Sequence, residues 1–300
     1  MTKHSPGHSF FSSFSSYSSS VCSPSPIEDQ HFSNENCTYS SGSHRFIDCL
    51  WDNAQNINSG CAIYFVLSSA DSSASLNIKR CSFSHCHATG NVAGGGMHVQ
   101  HINSVTLSES FFFDCSCGTY EYMEGGGVLL SYLHSQPLIK DCLFLQCVSS
   151  DDGGGCGIYY CSSSITYVVD SSRFIQCQGT DSSNSEGGGI HLCHNTDPVT
   201  CTNCLICGCN APYEGGGAWI DYPSSTNTNL VTFCLFKDNT ASSYGNDVIL
   251  FNTEENTLTH CFTTTISDSV YVGTFNSVAK QYTNIHVVDW LPLGILGYST

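Results

Sequence analysis

The sequence predicts an all-β chain wound as a right-handed parallel β-helix of about seven coils, roughly 30 residues per coil. Three observations lead there. Glycine triplets recur at Gly94–Gly96, Gly125–Gly127, Gly153–Gly155, Gly187–Gly189 and Gly215–Gly217. An aromatic box keeps step with them, and the residues after each triplet alternate with a period of two. A fixed period of this kind marks stacked repeats, each burying its apolar face against the next.

The box reads Cys/Ser-x-aromatic-x-x-Cys. It occurs as Cys81-x-Phe83-x-x-Cys86, Ser110-x-Phe112-x-x-Cys115, Cys142-x-Phe144-x-x-Cys147, Ser172-x-Phe174-x-x-Cys177 and Cys204-x-Ile206-x-x-Cys209. A variant, Cys234-x-Phe236-x-x-Asn239, closes the series. The central residues are 29, 32, 30, 32 and 30 positions apart. Aligned on the apolar stretch that follows, the glycine runs begin at 94, 125, 155, 187, 215 and 245, which assigns Gly155-Cys156-Gly157 to the third copy and Gly245-Asn246-Asp247 to the last. A degenerate earlier copy places Trp51 at the aromatic and Gly60-Cys61-Ala62 at the glycines.

Helical repeats are excluded. Each of three adjacent glycines would cost roughly 1 kcal/mol inside a helix. The stretches Met97-His98-Val99, Ile190-His191-Leu192 and Ala218-Trp219-Ile220 instead show the period of half-buried strands. A second strand precedes each box, as at Leu76-Asn77-Ile78 and Leu138-Ile139-Lys140. Stacked in parallel, equivalent residues form ladders, with the column 63, 97, 128, 158, 190, 218 and 248 facing inward.

On these boxes the chain resembles two families. One is the β-helix repeats of polymorphic outer-membrane (autotransporter-type) proteins, with their Gly-Gly-Ala-Ile-like and Phe-x-x-Asn boxes. The other is the β-helix surface-type proteins of anaerobic protists, which favour Gly-Gly-Gly and Phe-x-x-Cys and often end on a Gly-Asn-Asp coil. The likeness covers roughly residues 45–275. It departs from the first family in having one Phe-x-x-Asn, at Phe236–Asn239, and no barrel after the repeats. The resemblance implies the fold and no particular activity.

Composition narrows the partners. Eight Lys+Arg against 25 Asp+Glu give a formal net charge of −17, which disfavours nucleic acid or an anionic membrane. The sequence shows no apolar run long enough for a direct membrane span. Residues 1–30, Ser-rich with Pro24 and Pro26, are expected to be disordered and lack the apolar core of a signal peptide. Residues 31–285 are expected to form the β-helix, and 286–300, with apolar Trp290–Leu296, to cap it. Either the chain is cytosolic or it is a fragment of a longer surface protein, extracellular or at the cell surface, and the sequon Asn36-Cys37-Thr38 would be used only on a secretory route.

The 20 cysteines concentrate at repeat positions. Cys86, Cys115, Cys147, Cys177 and Cys209 share one, and Cys81, Cys142 and Cys204 another. The favoured expectation is a ladder of buried thiols behaving as small hydrophobes; bridges up the ladder are the alternative in an oxidising compartment. Zinc-type ligands occur in His191-x-Cys193-His194 and in Cys204-x-x-Cys207-x-Cys209, but paired clusters at finger spacing are lacking, so neither metal nor cofactor is expected.

Two function classes compete. As an enzyme on glycans, a lyase or glycoside hydrolase, the chain would rely on Glu186 and Glu214. Both stand immediately before a glycine run and should stack in adjacent coils, near the separation of a retaining carboxylate pair. Basic partners are few; Lys140 and Arg173 occupy box-adjacent positions in neighbouring coils. The favoured class is a non-catalytic repeat protein presenting an elongated surface for adhesion or recognition of a polysaccharide or protein. Its expected binding surface is the outward column of the post-glycine strand, Tyr64, His98, Leu129, Tyr159, His191, Trp219 and Ile249, with Asp221 and Tyr222 nearby. Cover by the N-terminal segment or a long loop would remove that surface. A structural spacer within a larger surface protein is the third reading.

Overall fold

The computed structural model describes residues 19–20, 26–33, 35–56, 62–89, 93–118, 124–159, 165–193, 199–221, 230–243, 245–251, 257–259, 261–263, 270–274, 277–278 and 286–287. They form a parallel β-solenoid of about six turns, each of about 30 residues, with no helix. The sequence suggested about seven. The difference lies at the N-terminal end, where Phe32 pairs directly with Trp51 across far fewer than thirty residues, so this rung closes no full repeat. Sheet pairing begins before residue 31: Ile27–Glu28 pairs with Phe46–Ile47. At the other end, His286–Val287 pairs with Phe262–Thr263, and the rest of the expected cap lies outside the described residues.

Three parallel sheets wall the tube. The first carries the post-glycine strands, such as Val128–Ser131, together with the strands before each box, such as Leu138–Lys140. The box strands form the second, in which Phe111–Phe113 pairs with Leu143–Leu145 and Leu143–Leu145 with Arg173–Ile175. Two-residue strands such as Val148–Ser149 make the narrow third sheet.

Corner geometry explains the box. The residues just before it, Arg80, Glu109, Asp141, Ser171 and Asn203, have positive φ; so do those two past the aromatic, His85, Asp114, Gln146, Gln176, Gly208 and Asp238. The box is therefore a three-residue strand held between two left-handed corners. Its central side chain points inward, and the first and last box residues turn in at the corners.

Inside, Trp51, Phe83, Phe112, Phe144 and Phe174 form one pile, with successive ring centroids 4.7, 4.5, 4.8 and 4.7 Å apart and planes within 6° of parallel. That spacing is the inter-strand distance itself, so each ring stacks because its backbone is hydrogen-bonded to the next. Ile206 and Phe236 continue the column, fully buried.

The cysteine ladder is buried and its thiols are free, as expected. Each donates S–H to the carbonyl of the aromatic one coil back: Cys115 to Phe83 at 3.5 Å, Cys147 to Phe112 at 3.6 Å, Cys177 to Phe144 at 3.6 Å and Cys209 to Phe174 at 3.4 Å. Asn239 repeats this in the last coil, its Nδ2 donating to Ile206 O at 3.0 Å while its Oδ1 accepts from Cys209 N at 2.9 Å. Phe-x-x-Cys and Phe-x-x-Asn are thus one device built from two side chains. Cys37 lies outside the ladder and is disulfide-bonded.

Candidate functional site

Each glycine run opens on a left-handed residue: Gly94, Gly125, Gly153, Gly187, Gly215 and Gly245 have φ between 62° and 72°. This sharp reversal folds the residue before the run back over the strand after it. Ala93, Glu124, Asp152, Glu186 and Glu214 therefore form a lip above the post-glycine column.

Two expectations are corrected here. The third copy uses Gly153-Gly154-Gly155, not Gly155-Cys156-Gly157, because Val128 pairs with Cys156 and Cys156 with Ile190. Cys156 accordingly takes the first inward position and Ile158 the next, opposite Leu130 and Leu192. The outward position goes to Gly157, between Leu129 and His191. Its missing side chain leaves room that the Tyr159 ring fills: a Cβ on Gly157 would lie 2.6 Å from Tyr159 Cε2.

The second correction concerns exposure. From Leu129 onward the outward column is buried. Leu129, Tyr159, Trp219 and Ile249 pack with Ala93 and Cys193 into a second apolar cluster outside the tube. His191 is 2% exposed. Only Tyr64 and His98, in edge-to-face contact at 5.4 Å, remain half-exposed. Asp221 ends a post-glycine strand that pairs with Val248–Phe251, and Tyr222 and His194 lie outside the described residues.

Under the lip the column carries a polar cluster. His191 Nδ1 lies 3.2 Å from Asp152 Oδ2 and also meets the Tyr159 hydroxyl. On the other edge of the ring, Nε2 is 3.6 Å from Glu186 Oε2 and makes no hydrogen bond. Burial opposes the imidazolium, yet the Asp152 carboxylate and Cys193 hold His191 well above the usual imidazole range. Burial pushes Glu124 up to about 8, with His191 opposing and Asp152 and Asp151 adding to the rise. Tyr159 is likewise raised, by burial and then by Glu124 and Asp152, and so stays a neutral phenol.

Glu186 and Glu214 do stack, forming a parallel bridge. Their side chains diverge, however. Glu186 faces His191, whereas Glu214 is buried against Trp219, burial raising its pKa and the Trp219 contact opposing that rise. Of the two basic residues, Lys140 pairs with Asp170 at 3.4 Å and Arg173 stands on the box sheet. The arrangement holds a proton between carboxylates inside a packed wall; it presents no paired acids to solvent. The Cys204-x-x-Cys207-x-Cys209 cluster does not assemble as spaced, since Cys204 and Cys209 belong to different ladders and Cys207 points outward; of the other zinc-type cluster, His191 and Cys193 are in contact and His194 lies outside the described residues.

A continuous, half-exposed apolar face lies instead on the box sheet. Because Phe112, Phe144, Phe174, Ile206 and Phe236 point inward, their neighbours point out. One outward column runs Asp52, Ser84, Phe113, Leu145, Ile175, Cys207, Lys237. The other runs Leu50, Ser82, Phe111, Leu143, Arg173, Leu205, Leu235. From Phe111 to Leu235 these side chains are half-exposed. Five rungs of aliphatic and aromatic residues at about 4.8 Å extend roughly 20 Å along the rod. The signal was present in the box as the two residues flanking the aromatic. No protein-family profile, curated protein or solved structure matches the chain.

Proposed function

We propose that the chain is a non-catalytic recognition solenoid that binds a protein surface through the box sheet, and that a second copy of itself is the surface it binds. One observation carries this reading: a flat, regular sheet face that is apolar in the middle and oppositely charged at its ends. Asp52 and Lys237 close the same column at equal distance from Leu145, three rungs on either side.

A two-fold axis along the strands at the level of Leu145 would lay two such faces together with their rods antiparallel. Leu145 then meets its own copy, Phe113 meets Ile175, and Asp52 meets Lys237. Phe111 meets Arg173, a pairing of ring face and guanidinium. Such a closed, self-complementary contact is the commonest form of homodimer. The side chains favour protein over sugar, because Leu, Ile and Phe offer area without the hydrogen-bonding groups a glycan needs. The patch is several hundred Å² per copy, below the roughly 800 Å² of a standard interface, so a Kd on the order of micromolar is expected.

Sedimentation equilibrium tests it. Wild type should show a concentration-dependent dimer, and Leu145→Asp, which places a carboxylate against itself, should be monomeric. A wild type that stays monomeric to about a hundred times that Kd contradicts the homophilic reading. Wild-type binding to a glycan array that is lost in Leu145→Asp would redirect the surface to carbohydrate.

A further inference from the structure

The first box residues form an inward column in which thiols and hydroxyls alternate: Cys81, Ser110, Cys142, Ser172, Cys204. The alternation stops at both ends: Cys49 directly precedes Cys81, and Cys234 and Cys261 directly follow Cys204. Beside this column runs another inward one from the strand before the box. It reads Ile78, Leu107, Ile139, Val169, Cys201, Val231. It is aliphatic except at Cys201, the rung that faces the uninterrupted thiols from Cys204 onward.

The two departures meet. Cys201, Cys204 and Cys234 bring their sulfurs within 4.8 Å of one another, fully enclosed, with Cys201 Sγ and Cys234 Sγ 3.9 Å apart. Cys261 adjoins Cys234 on its far side, its thiol directed at Val231 O at 3.5 Å. The longer ladder from Cys86 to Cys209 also stacks sulfurs, but in single file, and a line of donors cannot surround an ion. Here a second column supplies the out-of-line donor.

We infer that Cys201, Cys204 and Cys234 form a three-sulfur binding site for one thiophilic metal ion of the zinc class. Zinc–sulfur bonds of about 2.3 Å put tetrahedral sulfurs about 3.8 Å apart, the separation Cys201 and Cys234 already have. Each S–H replaced by a Zn–S bond releases one proton, and no redox change is involved. An ion at this position would tie together the coils of Cys204 and Cys234. This inference is independent of the binding face.

The test is metal uptake by full-length reduced protein refolded with zinc, or with cobalt(II) as the spectroscopic substitute, so that access to the interior sets no limit. One ion per chain, sulfur-to-cobalt charge-transfer bands and protection of the three cysteines from alkylation are expected. Cys201→Val and Cys204→Ser install residues their own columns already use in neighbouring coils. Each should weaken binding at least tenfold while keeping the β-sheet circular dichroism; Cys142→Ser should bind like wild type. Absence of stoichiometric uptake by wild type overturns the site. So does equal affinity in Cys201→Val, or a Cys201–Cys234 disulfide that persists in the native protein. The alkylation footprint reads the site in wild type even where a variant misfolds.

Discussion

Replacing Asn239 separates the hydrogen-bonding role of the ladder from its packing role. Asn239 makes three buried contacts: Oδ1 accepts from Cys209 N at 2.9 Å, and Nδ2 donates to Ile206 O at 3.0 Å and to Asp247 Oδ1 at 2.9 Å. In Asn239→Ala the Cys209 amide and the Ile206 carbonyl lose their partners inside the tube, at about 1–3 kcal/mol each. With the lost link to Asp247, the total loss comes to about 4 kcal/mol. Cysteine should restore most of it. One coil below, Cys209 donates to Phe174 O while the Cys177 amide faces its sulfur, so a single thiol serves both backbone groups. Asn239→Cys should therefore cost only about 1–2 kcal/mol, chiefly the Asp247 link. Solenoid coils can open in groups, so urea unfolding should be paired with hydrogen exchange over residues 204–250. If Cys is as damaging as Ala, the two boxes are not equivalent and the ladder is only packing.

Three further outcomes follow from the same geometry. Phe144→Ala should destabilise by about 4 kcal/mol, and Phe144→Ile, the residue type the column uses at 206, by clearly less; urea midpoints decide. Gly127→Ala would put a Cβ 2.6 Å from Gly155 O and 2.8 Å from Phe144 Cδ1, both fixed by the stack, and should abolish soluble folding, read from expression and circular dichroism. Glu124, with its pKa raised to about 8, favours the fold while neutral. That stabilisation is complete below about pH 4.5 and is lost as pH rises through 8, at up to about 1.4 kcal/mol per pH unit. His191, also raised, loses its contribution in the same direction above its ordinary value. Glu124→Gln should flatten the stability profile between pH 5 and 8, and an unchanged slope would contradict the burial of that carboxyl.

The fold was legible because a parallel solenoid writes its period twice, once in the glycines and once in the box. The inward pile of Phe83, Phe112, Phe144 and Phe174 followed from that alone. The register of the third copy was not, since Gly153-Gly154-Gly155-Cys156-Gly157 offers two frames that differ by two residues. Period-two alternation fits both, and only pairing with Val128 and Ile190 decides between them. The fate of the post-glycine column turned on a backbone angle. A left-handed glycine returns Glu186 over His191 and Glu214 over Trp219, and no composition rule states which way a lip folds. The box sheet could have been read from Phe111, Phe113, Leu143 and Leu145, apolar at positions the inward aromatics force outward. The meeting of Cys201 with Cys204 and Cys234 needed two columns aligned in space.

The account of function stands most directly on the antiparallel register of two box sheets, which a charge exchange at the column ends reads. Asp52→Lys and Lys237→Asp, measured singly by sedimentation equilibrium, should each weaken the dimer by about tenfold through like charges facing across the interface. The double variant should recover wild-type affinity within about threefold, because the exchanged charges again face opposite signs. Losses in the double variant that simply combine those of the single ones would contradict the proposed pairing of the two faces.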